Sequence, residues 1–405
     1  MLACPVVRQS LVLSSERLPV STPTRTTAHA VIYADHNSTT PPLPAVIAAM
    51  HDCLRDGWGN PAARAHSFGR RAAQALESAR RTVASVIAAE PDEIIFTSGA
   101  TEALNLAICG LGERLLATRP RIVVGATEHP AALAPCQRLA EAGAELVVAP
   151  VDGDGRLDPR ALAEALTPGT GLLVLMLANH DTGVIHDVAA WSRAAHEQGA
   201  LVVCDATQAV GRMPVDVQAL GVDALAFTAH KLYGPQGAGA LWLRAGLGLT
   251  AQIVGGGQEG GRRAGTPNLP GIVGFAAACA AAARELAARI QHLQALTELL
   301  EERLLRALPE IVIHGRRCPR VPGTTMVTLP GLAPGWLATQ TEIAVSGGAA
   351  CAAGEPSATL LAMGVPRAEA ANAIRISLGI ATTRDEAMAI ADSLRHGAAV
   401  LRRRP

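Results

Sequence analysis

From about residue 30 to residue 250, short continuous apolar runs alternate with longer segments whose apolar residues recur at helical spacing. The runs are Ala30 to Ala34, Glu93 to Thr97, Arg121 to Gly125, Leu146 to Ala149, Gly171 to Leu177, Leu201 to Asp205 and Ala224 to Thr228. A run apolar at nearly every position suits a strand buried on both faces, so the alternation predicts a largely parallel sheet sandwiched by helices. Gly271 to Leu308 is rich in alanine and leucine and has no internal proline, which predicts one long helix or two joined ones, stopped by Pro309. Beyond it, Glu310 to His314, Thr325 to Leu329 and Ile343 to Ser346 read as strands, and helices follow near Pro356 to Met363 and Arg384 to Leu401. The expected organisation is a disordered extension over 1–30, a large α/β domain over 31–270, a connecting helix over 271–308 and a small α/β domain over 309–405. A chain of 405 residues exceeds the roughly 250 to 300 at which one core stops growing, so two domains fit.

Composition narrows the class. Apolar residues make up 49% and aromatic residues only 2%, which describes a compact interior of alanine, leucine, valine and glycine. A formal charge of zero supplies no field to gather nucleic acid or an anionic membrane. No uninterrupted apolar run, including Leu172 to Ala178 and Gly271 to Ala283, reaches the roughly 18 to 20 residues of a bilayer span. Residues 1–30 carry Arg8, Arg17 and Arg25 among serines and threonines, a weak transit-peptide character beside the plainer reading of a disordered start. The eight cysteines lack the paired spacing of a metal site, and Cys109, Cys204 and Cys279 sit inside apolar runs, so no metal is expected and a reducing cytoplasm fits.

The informative asymmetry is among the cations: one lysine, Lys231, stands against 34 arginines. Exposed lysine and arginine both serve as solvated cations, but only the primary amine can lose its proton and condense with an aldehyde. Lys231 lies where the run Ala224 to Thr228 opens into Ala229-His230-Lys231-Leu232-Tyr233-Gly234, the kind of strand end at which open sheets place reactive groups.

Asp205 closes the run Leu-Val-Val-Cys-Asp, where its carboxylate either pairs with the pyridinium nitrogen of a cofactor or caps a turn. Thr97-Ser98-Gly99-Ala100-Thr101-Glu102 joins a strand to a helix; its amides suit a phosphate, while Ser98 and Thr101 serve equally well as ordinary caps. Cys351 follows Ser346-Gly347-Gly348-Ala349-Ala350, whose small side chains suit an exposed loop, and by itself reads as incidental.

Together these segments resemble the cysteine desulfurase and selenocysteine lyase branch of the class V aminotransferases, fold-type I pyridoxal-phosphate enzymes. The match runs from about Tyr33 to Leu394. It takes in Ala34-Asp35-His36-Asn37-Ser38-Thr39-Thr40-Pro41, Gly59-Asn60-Pro61 with His66 and Gly69-Arg70, Thr97 to Glu102, and Thr127-Glu128-His129. It continues through Asp205-Ala206-Thr207-Gln208, His230 to Pro235, Gly255-Gly256-Gly257-Gln258-Glu259 to Gly265-Thr266, and Ser346 to Cys351. The resemblance implies a large seven-stranded, mostly parallel sheet domain and a smaller α/β domain. It implies pyridoxal 5'-phosphate on Lys231, with Asp205 on the ring nitrogen, Gln208 on the ring oxygen and His129 stacked on the ring. The phosphate would lie against Ala100, Thr101, Thr228 and His230, and Thr266 would reach in from the second subunit of a homodimer. Asn37 and Arg375 would bind the substrate, Arg375 by a bidentate fork on its carboxylate. Lys231 would shuttle the Cα proton of L-cysteine, and the Cys351 thiolate would take its sulfur as a persulfide while alanine leaves. His129 would accept a proton, and the sulfur would pass to an acceptor protein.

Three positions depart from that pattern. The family usually has two adjacent asparagines before an acid, but here the run is Asn179-His180-Asp181, so His180 occupies a cofactor-contacting position. Gly260 stands where an arginine often follows the glutamate, and Ile380 replaces a frequent arginine. The segment Cys351 to Ser357 is about two residues shorter than in the housekeeping iron–sulfur assembly enzymes. Selenocysteine lyase, a class V aminotransferase or lyase that does not need Cys351, and a non-catalytic relative remain as alternatives. The acceptor could be an iron–sulfur scaffold, a transfer RNA or DNA modification system, or a small carrier.

Overall fold

The computed structural model describes residues 31–333, 335–347 and 355–403; the extension 1–30 and Cys351 lie outside the described residues. Seven strands, β2 (Ile94–Thr97), β3 (Arg121–Gly125), β4 (Glu145–Ala149), β5 (Thr170–Met176), β6 (Leu201–Asp205), β7 (Ala224–Thr228) and β8 (Gly239–Leu243), form one sheet in the order β2-β8-β7-β6-β5-β3-β4. Only β8 runs against the others, pairing antiparallel with both β2 and β7. Strands β2, β5, β7 and β8 are buried along their whole length, as expected for a sheet covered on both faces. The helices Ala100–Leu115 and Pro130–Glu141 cover one face with Leu104, Ile108, Leu111 and Leu139, while Ser67–Ser85 and Val188–Glu197 help close the other.

A second sheet is antiparallel throughout: β9 (Val312–His314), β10 (Thr324–Thr328), β12 (Ser346–Gly347) and β13 (Ile374–Ser377) lie in the order β12-β13-β10-β9. The expected strand Ile343 to Ser346 is two short pieces, because β11 (Ile343–Ala344) pairs with β1 (Ile32–Tyr33) while β12 joins β13. A short pairing therefore ties the first described residues to this part of the chain. The bridge from Asp35 to Ser377 continues that connection.

The alanine-rich tract lies in one helix, Leu269–Ala307, whose Asn268 side chain caps the start. By length and composition this helix could cross a bilayer, which a search for uninterrupted apolar runs does not register. It is a core helix here: Leu269, Ile272 and Phe275 pack under the seven-stranded sheet, and Leu293, Leu296, Leu300 and Leu304 pack under the four-stranded one. Two strands are absent from the sequence-based expectation, β8 and β13. β8 pairs antiparallel with β2 as well as β7 and follows the turn-rich Gly234-Pro235-Gln236-Gly237.

Candidate active site

The parallel strands end together, and the turns that leave them wall a cavity of about 780 Å³. Asp205 closes β6, Thr228 closes β7, and Lys231 lies in the single turn of 3-10 helix that follows. His129 enters from the turn after β3, and His180 from the turn after β5. Arg375 reaches the same space from β13, in the second sheet. Ala100, Thr101, Gln208, His230 and Asn37 complete the wall.

Lys231 Nζ donates to the backbone oxygens of Asn37 and, at 2.8 Å, of Ser38. Gln208 Nε2 also donates to the Asn37 oxygen at 3.0 Å, and Gln208 Oε1 is buried without a partner among the described residues. The Asn37 side chain is committed elsewhere. Its Nδ2 donates to the His180 backbone oxygen at 3.0 Å and to Thr324 Oγ1 at 3.1 Å, and its Oδ1 accepts from Arg212 at 2.5 Å. A direct bond from that side chain to a ligand requires one of these to open.

Arg375 is 1% exposed. Its Nη1 donates to Asp181 at 3.2 Å and to the His180 backbone oxygen at 3.1 Å, and its Nη2 donates to Asp35 at 3.0 Å and Ser38 Oγ at 2.8 Å. Its Nε has no partner among the described residues and is the donor left for a carboxylate. Asp181 is held in turn by Ser357 Oγ at 2.7 Å. The guanidinium is thus fixed in place by two acids and a hydroxyl before any ligand enters.

His129 does two jobs. As N-cap of Pro130–Glu141 its Nδ1 accepts from the Ala131 amide at 3.1 Å, and its ring lines the cavity. Burial, with His180 and Lys231 nearby, lowers its pKa to about 4, so the ring is neutral at ordinary pH. His230, whose Nδ1 lies 3.2 Å from Thr39 Oγ1, is lowered to about 4 by burial and then by Lys231. Burial also lowers the pKa of His180, against the opposing effect of Asp181.

The helix Ala100–Leu115 begins at the cavity with Gly99 as N-cap and no side-chain cap bond, so neither Ser98 nor Thr101 caps it. Its first amides are available to a phosphate. Gly239 in β8 lies so close that a Cβ there would meet Gly99 Cα at 2.6 Å. Asp205 is 6% exposed; its Oδ1 accepts from the Thr207 amide at 2.9 Å, so the turn-capping role is real while the residue still faces the cavity. An open helix start, a buried acid, an amine and a neutral imidazole in one cavity are the donor set that a phosphorylated pyridine aldehyde needs.

Two expected participants stand apart. Thr266 lines a separate cavity of about 140 Å³ that shares Ser98 and Gly237 with the larger one. Cys351 belongs to residues 348–354, outside the described residues; Glu355 and Pro356, which immediately follow, line the large cavity. One lining residue carries no role from sequence. Glu128 is buried, its Oε1 accepts from the Met176 amide at 2.8 Å, and burial followed by the nearby Asp205 raises its pKa well above the carboxylate range.

Residues 32–390 match the family model described as aminotransferase class-V. A cysteine desulfurase IscS from Anaeromyxobacter sp. (strain K) is 40% identical over 360 residues, covering 88% of this chain and 89% of its own. A solved structure described as a NifS-like protein superposes with a TM-score of 0.85 at 33% identity, covering 92% of this chain and 100% of that one. Another, SspA in complex with cysteine, superposes with a TM-score of 0.75 at 30% identity, covering 86% and 98%.

Proposed function

Because the chain belongs to the class V aminotransferase family, and its relatives are cysteine desulfurases, we propose that it is a pyridoxal-phosphate-dependent cysteine desulfurase that converts L-cysteine to L-alanine and passes the sulfur through Cys351. The observation that carries this reading is the convergence of the only lysine of the chain with Asp205, His129 and Arg375 on one cavity.

The cofactor would be held by Lys231 through its amine, by Asp205 at the ring nitrogen and by Gln208 at the ring oxygen, with His129 against the ring. Ala100, Thr101, Thr228 and His230 would hold its phosphate, and His180 would take the place of a family asparagine. When bound, this group supplies an electron sink for the pair released at the substrate Cα. Lys231 then moves the Cα proton, and Arg375, already braced by Asp35 and Asp181, orients the substrate carboxylate through Nε. A Cys351 thiolate attacks the substrate sulfur; the S–S bond forms as Cβ–S breaks, the electron pair stays on the three-carbon product, and protonation yields alanine. Asn37 contributes mainly through its backbone oxygen, which accepts from Lys231 and Gln208.

The active form is a homodimer in this reading, with Thr266 completing the site of the second subunit. The exposed Ile253 and Val254 support it as an apolar surface beside Thr266, because the Ile253 backbone oxygen accepts from the Ala264 amide at 3.1 Å, two residues before that threonine. An acceptor protein takes the persulfide sulfur, and the cytoplasm supplies the reducing conditions that free thiols need.

The test is the visible spectrum of purified wild type and Lys231→Ala, followed by alanine and sulfide release from L-cysteine with dithiothreitol, with and without Cys351→Ala. Yellow colour lost with Lys231 and sulfide release lost with Cys351 are expected. Colour without dependence on Cys351 would move the chain to the aminotransferase or lyase chemistry, and a higher turnover on selenocysteine than on cysteine would make it a selenocysteine lyase. A colourless protein would end the enzyme reading.

A further inference from the structure

Arg212 is a buried cation, 8% exposed, with no carboxylate in ion-pair range among the described residues. Burial lowers its pKa to about 10, and the positive charge of Arg375 adds to that fall. A charge held this way is costly, and a well-packed apolar side chain in its place is often neutral or stabilising. Its contacts indicate what it does instead of stabilising the core. Nη1 donates to Asn37 Oδ1 at 2.5 Å and Nη2 to the His36 backbone oxygen at 3.3 Å.

The turn it grips joins the two cationic groups of the cavity. The Asn37 and Ser38 backbone oxygens accept from Lys231 Nζ, and Ser38 Oγ accepts from Arg375 at 2.8 Å. Gln208 takes hold of the same asparagine from four residues upstream of Arg212, donating to its backbone oxygen at 3.0 Å. Asn37 is therefore clamped from one segment at two atoms, its side-chain oxygen by Arg212 and its main-chain oxygen by Gln208.

We infer that Arg212 is a positioning residue that acts through Asn37, fixing the Asn37–Ser38 turn and thereby the spacing between the Lys231 amine and the Arg375 guanidinium. The inference rests on the proposed function: Arg375 would hold the carboxylate of the amino-acid substrate while Lys231 moves its Cα proton, so the spacing of the two groups sets how the substrate is seated. Lysine at 212 keeps the charge but not the planar fork, and so preserves one of the two contacts.

The experiment compares the wild-type holoenzyme with Arg212→Met and Arg212→Lys in three measurements: melting temperature, KM and kcat for L-cysteine, and calorimetric binding of 3-mercaptopropionate, which carries the carboxylate and thiol without the amine. In Arg212→Met, KM and the 3-mercaptopropionate dissociation constant should rise by about tenfold or more, with kcat less affected and the melting temperature not lowered. Arg212→Lys should fall between it and wild type. Wild-type KM and 3-mercaptopropionate affinity in Arg212→Met would overturn the inference. If the methionine variant does not fold, the lysine variant decides, and wild-type values for both constants there would overturn it. A wild-type enzyme that releases no alanine would instead refute the proposed function.

Discussion

The imidazole rings of His129 and His180 meet edge to face at the cavity, their centroids 5.3 Å apart and their planes at 80°. Since His129 Nδ1 accepts from the Ala131 amide, a neutral ring carries its proton on Nε2. The groups acting on it are His180 and Lys231, which lower its pKa, and Asp205 and Asp181, which raise it.

Replacing His180 by asparagine removes one of the two positive influences, so the His129 pKa should rise from about 4 toward its ordinary value. If the reaction needs His129 neutral, the acid limb of kcat/KM against pH moves to higher pH in His180→Asn. A profile from pH 4.5 to 9 with an unmoved acid limb would mean that His129 does not set it.

Gly239 pairs with Thr97 on one side and Thr228 on the other, directly beneath the start of the helix Ala100–Leu115. An alanine methyl there has no room, with Gly99 backbone atoms at 2.6 and 2.7 Å. Gly239→Ala should displace the Ser98–Gly99 turn, at a cost of about 1 to 3 kcal/mol, and weaken cofactor retention. Cofactor loss on dialysis, followed by absorbance, checks this; wild-type retention would show that the turn is not part of the phosphate cradle.

The parallel strands were legible because burial on both faces leaves a mark in sequence: β5 is apolar at five of its seven positions, Thr170 and Gly171 being the exceptions. β8 carries the same mark, four apolar residues of five in Gly239-Ala240-Leu241-Trp242-Leu243, but its antiparallel place between β2 and β7 is decided by tertiary pairing that the run alone does not encode. Lys231 stood out by its scarcity and Asp205 by its position at a strand end. Arg212 and Glu128 did not, because a buried charged side chain reads in sequence like the solvated ones around it. The two roles of His129, cap and cavity wall, emerge only when helix start and cavity are seen together.

Glu128 should keep its proton to higher pH in the folded protein than in the unfolded chain. Its folded pKa is raised, so unfolding releases a proton and stability falls as pH rises above the ordinary glutamate value. Glu128→Gln keeps an acceptor for the Met176 amide and removes the titration. Its melting temperature should exceed that of wild type at pH 8, with the gap closing toward pH 4. A variant less stable than wild type at pH 8 would mean that the carboxylate is ionised and needed in the fold.

The histidines act in the opposite direction, and His186 gives the cleanest case because it is buried but does not line the cavity. Burial lowers its pKa from 6.5 to about 4, as it does for His36 and His314. With the folded pKa below the unfolded one, the unfolded chain binds the extra proton between these values, and stability is lost as pH falls through that window. A single fully buried imidazole contributes at most about 3 kcal/mol across it. Urea midpoints of wild type at pH 7, 6, 5 and 4.5 should therefore fall steeply, and His186→Gln should flatten the fall by up to one proton's worth of slope. An identical slope in the variant would mean that His186 takes up its proton in the folded state, either because water reaches the ring or because the surrounding core yields before the chain unfolds.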